Sequence, residues 1–525
     1  MKNSFLSKGL KTLQRGAFVA GALAAGYALS GIDPVNAAPK KGGKLRIAII
    51  ADIGGFDSLK IPITGRQRAF VMQAIHENLF DMDPDTFKIV PRTGLKAEAS
   101  DDFKRWRVTL RQGVKYSNGV EMTSADYKAH FDRLLNNKKF GNRFRSTLGP
   151  RLDHVEAPSK YEVDFVFTEP SPGWKTIMTL NDLVWWVRPK SYLDANKGKK
   201  TFNNNTVGAG PYILKKWRRS SSIVLAKNPH YWDKANQHVD EIHLQIINQQ
   251  LSRMQALQAG QMDFLWLPPA LAIVAKKDKS LRHVTGPSFF AGLGIAFNQS
   301  KPPFNDIRVR KALVHALDRD LIGSVITKVP EKAPTHMYSA EHPWACKGIE
   351  YPEFNLAKSK ALLKEYGKPV KMTLNIVALR DLIRVGEAYQ AYWKEAGFEV
   401  AVKPGGRGPK WGRAVASRKF DFWWHNYAAN NDPSLVGMIF HSKSRANLMQ
   451  INDPAIDAAI AKVKAARGRA DRYKASCDFQ KLLIKQVRIL PWEQRGVTVV
   501  FQPYVKNVIK PLSIFPKYQR VWLDK

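Results

Sequence analysis

"NTVGAGPYILKKWRRSSSIVLAKNPHYWD", residues 205–233, is the stretch on which the fold turns. Gly208 and Gly210 frame Ala209 ahead of Pro211, a turn that needs backbone freedom and then a fixed φ as a strand begins. The stretch closes on a polar turn, Asn228-Pro229, followed by Tyr231 and Trp232, an aromatic pair expected in a core rather than against a ligand. Outward toward the N-terminus, "GGKLRIAII" (42–50) alternates Leu45, Ile47 and Ile49 with Arg46 and Ala48, and "RWRVTLRQG" (105–113) sets Trp106, Val108 and Leu110 against Arg107, Thr109 and Arg111; both read as strands. Between and beyond them lie helices. After a turn at Asn118-Gly119, Thr123 with Asp126 three residues on is a capping-box start. Toward the C-terminus, Val309, Leu313, Leu317 and Leu321 recur every fourth residue behind a cap at Asn305 or Asp306. "VGEAYQAYWKEAGFEVAV" (385–402) is a helix, a stop at Gly397 and a strand, and Asp453-Pro454 opens another helix. The chain is α/β throughout, without internal repeat or low-complexity linker, so its parts are expected to be joined by short hinges.

With 525 residues, 44% hydrophobic and 24% charged, the chain can build two or three domains with real cores. Its first 37 residues follow another rule. Lys2, Lys8, Lys11 and Arg15 precede a run of low charge rich in Gly and Ala that ends in "VNA", the pattern of a signal peptide cleaved near Ala37. The run is shorter than the ~20 apolar residues of a membrane span. No longer one follows, so a soluble protein of the periplasm is expected. Only Cys346 and Cys477 are present; Cys477 falls on one helical face with Tyr473, Ile484 and Val487 and reads as a small buried hydrophobe, and the compartment permits a disulfide that the spacing does not suggest. The formal net charge is +38; the leader removes four cations and Asp33, leaving +35. The basic residues are scattered through "NNKKFGNRFRS", "NKGKK", "LKKWRR", "AKKDK" and "KVKAARGRADRYK", a solvated surface rather than a nucleic-acid-binding arm.

Taken together, "GGKLRIAI", "LRQGVKYSNGVEMTSADYKAHFDRL", the 205–233 stretch, "PPFNDIRVRKALVHALDRDLI" and "NNDPSLVGMIF" resemble, in this order, the family 5 extracellular solute-binding proteins, receptors of dipeptide, oligopeptide and nickel ABC transporters. The resemblance implies a two-lobed periplasmic binding protein that closes about a hinge, of the large type with an extra N-lobe subdomain. It places the lobe I core at 38–72, 205–284 and 499–525, the extra subdomain at 73–204 and lobe II at 285–498. A small organic solute or short peptide would bind between the lobes, and ABC permease subunits in the inner membrane would receive it. No cofactor, no catalytic residue and no nucleic acid is implied, and a monomer is expected.

The same resemblance puts "WWHNYAANNDPSLV" (423–436) along the cleft. In peptide-binding members an aspartate three residues before the Asp-Pro acid pairs with the peptide's α-ammonium; counting from Asp432, that place holds Ala429, and the tryptophan three residues further upstream is replaced by Asn426. A buried ammonium without its carboxylate costs about 3–5 kcal/mol. Free-amino peptides are therefore disfavoured unless Asp432 or another acid substitutes. In dipeptide-binding relatives an arginine holds the ligand carboxylate from the helix before a Trp-x-x-x-Gly stop, and Arg384, nine residues before Trp393, fits that place. The expected ligand is a polar organic solute, acidic or amino-blocked, touched by Arg384, Trp424, His425, Asn426, Tyr427, Asn430, Asn431 and Asp432. In an extended strand Phe422, Trp424 and Asn426 face one way and Trp423, His425 and Tyr427 the other, so one set meets a core. His425 raises metal binding, but no His-x-x-His or Cys-x-x-Cys spacing accompanies it. A secreted hydrolase is the rival reading, and G-x-S-x-G and H-E-x-x-H are both missing; Asp101-Asp102 reads as an ordinary turn. A binding protein that senses without transport would have the same lobes.

Overall fold

The computed structural model describes residues 38–525 apart from 58, 60–66, 138–151, 180–184, 200–201, 203, 268, 287–291, 328–331, 336, 339–341, 379, 406–416, 428–431, 445–446, 495–496 and 513–516. The leader expected over residues 1–37 lies outside them. Strand Lys44–Ile49 pairs in parallel with Glu241–Ile246 and touches Phe264–Leu267 on its other side. Leu45, Ile47 and Ile49 are buried as their alternation predicts; Ala48 is buried too, because a central strand has both faces covered. The sheet has seven strands, in the order Arg282–Gly286, Val497–Phe501, Phe264–Leu267, Lys44–Ile49, Glu241–Ile246, Ser222–Lys227 and Tyr212–Arg218.

The last two are the antiparallel hairpin of the 205–233 stretch. Its glycines answer to crowding rather than to unusual dihedrals. Gly210 N–H donates to the Ile75 carbonyl at 2.8 Å, and a Cβ on Gly208 would stand 2.1 Å from that same oxygen. Tyr231 is buried as expected: its hydroxyl donates to Glu77 Oε2 at 2.8 Å and accepts from Arg92 Nη2 at 2.8 Å. Trp232 lies beneath two guanidiniums, those of Arg92 and Arg111, with ring centroids 5.0 and 4.4 Å away. The hairpin is thereby fastened to the segment that leads into the second sheet.

That second sheet has four antiparallel strands, Gly94–Ala99, Arg105–Leu110, Glu162–Phe167 and Leu152–Ser159. Trp106, Val108 and Leu110 form its inner face, packed with Tyr127, Phe131 and Leu134 of helix Ser124–Leu135. The helix starts as the capping box predicts, with Asp126 Oδ2 accepting from Thr123 N–H at 2.8 Å. Asp102 is a turn residue, accepting from Ser100 Oγ and from Lys104 N–H.

A third, five-stranded sheet runs in the order Glu399–Gly405, Lys371–Val377, Phe422–Tyr427, Gly292–Phe297 and Leu490–Gln494. Helix Arg380–Ala396 ends at Gly397, whose φ of +105° suits glycine, and Asp453 caps Pro454–Ala465 by accepting from Ala455 N–H at 2.9 Å. The helix expected to run through Leu321 is shorter. Asp306 caps Ile307–His315, and a second cap, Asp318 to Leu321 N–H at 2.9 Å, starts a separate turn that leaves Leu321 exposed. Cys477 differs as well. It is half-buried and joined to Cys346 in a disulfide; Ser476, Phe479, Gln480, Leu483 and Ile484 form the buried face of helix Gly468–Lys485. Helical spacing located the helix but not which of its faces looks inward.

The chain passes between the seven- and five-stranded sheets twice, through 287–291 and 495–496, which lie outside the described residues, and the strands that flank the two crossings are paired. Gly286 pairs with Val497 on one side of them and Gly292 with Gln494 on the other.

Candidate functional site

Strand pairing alone gathers the cleft-facing candidates. Lys371–Val377 is parallel to both Glu399–Gly405 and Phe422–Tyr427, while Gly292 sits opposite Tyr427 and Gln494. Val377, Gly405 and Tyr427 therefore end at the one edge where both passages to the seven-stranded sheet leave. Carboxyl ends of parallel strands are where open α/β sheets present a binding crevice. Helix Arg380–Ala396 starts three residues after Val377, so Arg384 and the run after Tyr427 rise from the same edge.

Arg384 is exposed on the second turn of that helix and makes no ion pair with a described residue. Trp424, His425, Asn426 and Tyr427 occupy the last four strand positions, opposite Ile295, Gly294, Leu293 and Gly292; their side chains lie outside the described residues, as do Ala429, Asn430 and Asn431. The expectation that only one face of this strand meets a core is corrected by its first two residues. Phe422 packs edge-on to Phe297 and Phe304 and lies against Trp393, and its neighbour Trp423, pointing the opposite way, is also buried. A strand third of five has hydrophobic cover on both faces.

Asp432 is the clearest departure. It is only 1% exposed and caps the short helix Pro433–Val436, its Oδ1 accepting from Ser434 N–H at 3.0 Å and from Ser434 Oγ at 2.6 Å. Arg472 Nη2 donates to both carboxylate oxygens, at 2.5 and 2.6 Å. The charge of Asp432 is thus taken up inside the protein, which corrects the expectation that this acid contacts the ligand or replaces the ammonium partner lost at Ala429. "DPS" carried part of the signal, since an aspartate two residues before a serine at a helix start is usually a cap. Nothing in the spacing pointed to Arg472, forty positions away.

Arg472 belongs to a braced unit. Trp344 lies under both Arg469 and Arg472, whose guanidiniums are 3.7 and 5.0 Å from its ring centroid. Gln480 Nε2 donates to the Trp344 carbonyl at 2.9 Å, Tyr473 Oη to the Ala345 carbonyl at 3.0 Å, and the Cys346–Cys477 disulfide closes the unit. Burial, with the charge of Asp432 adding to it, pushes the Tyr338 hydroxyl well above its ordinary pKa, so this neighbour stays protonated. Among the described residues, the result is a fixed acid–arginine pair, with Arg384 exposed on helix Arg380–Ala396.

Comparison with known proteins agrees with this architecture. Residues 88–447 match the model of the bacterial extracellular solute-binding proteins, family 5 Middle. The chain is 25% identical over 478 residues to the periplasmic murein peptide-binding protein MppA of Escherichia coli K12, covering 83% of this chain and 85% of that one. Among solved structures, the ABC transporter-associated periplasmic binding protein DppA of Helicobacter pylori, in complex with peptide STSA, superposes with a TM-score of 0.79 at 20% identity, over 93% of this chain and 99% of that one. The binding protein AgaA of A. tumefaciens R10, in complex with agropinic acid, does so with a TM-score of 0.76 at 21% identity, over 92% and 99%. These relatives are two-lobed binding proteins, not enzymes. The match across more than half its length, together with the paired flanking strands and sheet order described above, makes this chain a member of the family 5 bacterial extracellular solute-binding proteins.

Proposed function

We propose that the protein is the periplasmic receptor of an ABC importer, and that it captures a polar organic solute, acidic or amino-blocked, between its lobes. The observation that carries the ligand class is the pairing of Asp432 with Arg472 and Ser434, which commits the loop's described carboxylate to partners inside the protein. Arg384, exposed at the same sheet edge, supplies the fork that a ligand carboxylate would engage. Asn430, Asn431 and Tyr427 would add amide and hydroxyl contacts, and Trp424, His425 and Asn426 would line the wall. Lobe I would comprise 38–72, 205–284 and 499–525 with the subdomain 73–204, and lobe II 285–498. The two crossings between them, near residues 285 and 498, would form the hinge. The closed, loaded monomer would then be recognised by permease subunits of the inner membrane.

Mass spectrometry of compounds that co-purify with the protein, followed by calorimetric titration of the released compound against wild type and Arg384→Ala, tests this reading. An acidic or amino-blocked solute that loses at least about tenfold in affinity with Arg384→Ala is the expected result. A free-amino peptide bound tightly and indifferent to Arg384→Ala would overturn the ligand class.

A further inference from the structure

Gly173 lies on the unit built around the four-stranded sheet, at the start of the short helix Trp174–Ile177, and Asp432 belongs to the unit built around the five-stranded sheet. The two are in direct contact: a Cβ built on Gly173 would stand 2.1 Å from Asp432 Oδ1 and 2.4 Å from its Cγ. The backbone of Gly173 does not itself require glycine, since its φ of −88° and ψ of 0° are open to any residue. The missing side chain is needed by the neighbour across the interface, not by the local fold.

The contact does not stand alone. Leu435, one turn past Asp432, is buried among Trp174 and Trp185 of the other unit. Arg467 Nη1 donates to the Asp101 carbonyl at 2.7 Å, and its guanidinium sits 4.7 Å from the Phe103 ring centroid. Lys464 Nζ stands 3.8 Å from Glu169. All these contacts join residues 101–103, 169–174 and 185 to residues 432–435 and 464–467. Asp432 and its brace Arg472 are the stiffest group in the set, because the carboxylate is fixed by three donors and cannot swing aside as a lysine end could.

We propose that Gly173 is a positioning residue for lobe closure: its bare Cα is the seat on which the Asp432–Arg472 pair comes to rest, and the absence of a side chain sets how closely the two units approach. This rests on the receptor reading only for its purpose; the contact is testable without any ligand. Hydrogen exchange measured on the full ligand-free chain, for wild type, Gly173→Ala, Asp432→Gly and the double variant, reads it out. Glycine removes every side-chain atom and is still tolerated at a helix N-cap. Gly173→Ala is expected to speed exchange about tenfold in both 171–178 and 432–440, with strands Arg105–Leu110 and Gly292–Phe297 as slow as before. In the Asp432→Gly background the same substitution is expected to change exchange in 432–440 by less than about twofold, because the Cγ and carboxylate oxygens it would strike are gone. Faster exchange confined to 171–178, or an undiminished effect in the double variant, overturns the proposal. Should Gly173→Ala unfold the chain, Arg467→Ala reaches the same interface from the other side, and unchanged exchange in both 101–103 and 432–440 would overturn it too. If the contact is upheld and an unmodified peptide nonetheless proves to be the ligand, the ligand assignment fails and the seat stands.

Discussion

Two aspartates held by arginines sit in different parts of this molecule and behave differently. Asp164 lies on strand Glu162–Phe167, directly opposite Arg107, which donates from Nε and Nη2 at 2.8 Å each, and Arg105 adds a third bond at 2.7 Å. Burial raises this carboxyl, but the two guanidiniums outweigh it and hold the pKa below the ordinary carboxylate value. Both arginines are nearly half exposed, so water shares their charge. Asp432 has one arginine, and that arginine is itself 11% exposed. Both carboxylates are buried; the first has two guanidiniums at the sheet surface, one of them spare, and the second has a single, mostly buried one. A buried carboxylate with a spare guanidinium tolerates the loss of a partner, and one with a single partner does not.

The largest expected effect follows from removing Arg472. Arg472→Ala leaves the Asp432 carboxylate buried with only Ser434 as donor and is expected to cost about 3–5 kcal/mol in a urea unfolding curve. If the loss is under about 1 kcal/mol, the contrast between the two sites collapses. Next comes the disulfide that braces the same unit. Replacing Cys346 and Cys477 by serine is expected to cost about 2–4 kcal/mol and to leave the exchange protection of the four-stranded sheet unchanged, because that sheet belongs to the other unit.

A third measurement extends the comparison to a buried imidazole. His76 is buried between the Val187 carbonyl, 3.1 Å from Nδ1, and Thr206 Oγ1, 3.2 Å from Nε2. Burial first, and the neighbouring Arg188 second, hold its pKa well below the ordinary 6.5. Below that value the unfolded chain takes up a proton that the folded chain refuses. The stability contribution is therefore intact above pH 6.5 and declines as pH falls, by at most about 1.4 kcal/mol per pH unit for one proton. His238, His283 and His315 are lowered by burial and act in the same direction. His76→Gln is expected to shallow the slope between pH 6.5 and 5; an unchanged slope assigns it to the other histidines. The smallest effect belongs to Arg107→Ala. With Arg105 still in place, the melting temperature should shift by less than about 1 kcal/mol's worth, and a larger drop would show that the sheet-surface cluster has no spare partner after all.

Much of this fold was legible because its signals are local. Leu45-Ile47-Ile49 alternation, the Thr123–Asp126 capping box, Asp453-Pro454 and Gly397 each act within a few residues, and each stands where its chemistry puts it. Where the reading failed, the deciding partner was distant. Gly208 and Gly210 looked like turn glycines, but it is the backbone of Ile75 that leaves no room for a side chain. Leu321 is the exception: it kept the four-residue rhythm, yet a nearby cap, Asp318 three residues upstream, started a new helix and turned it outward. Asp432 looked like a cleft acid because "DPS" says cap without saying what else the carboxylate touches.

Sequence by itself determined that the chain is α/β, where its principal strands and helices begin, and through the ordered series of motifs which family it joins. Those features are set by propensity, capping and periodicity, which act over a turn or a strand. Tertiary structure alone decided that Cys346 meets Cys477, that Arg472 takes the charge of Asp432, and that Gly173 has no room for a side chain. These contacts join positions 131, 40 and 259 residues apart, the last being the distance from 173 to 432, and no local rule encodes which pairs of surfaces the packed sheets will bring face to face.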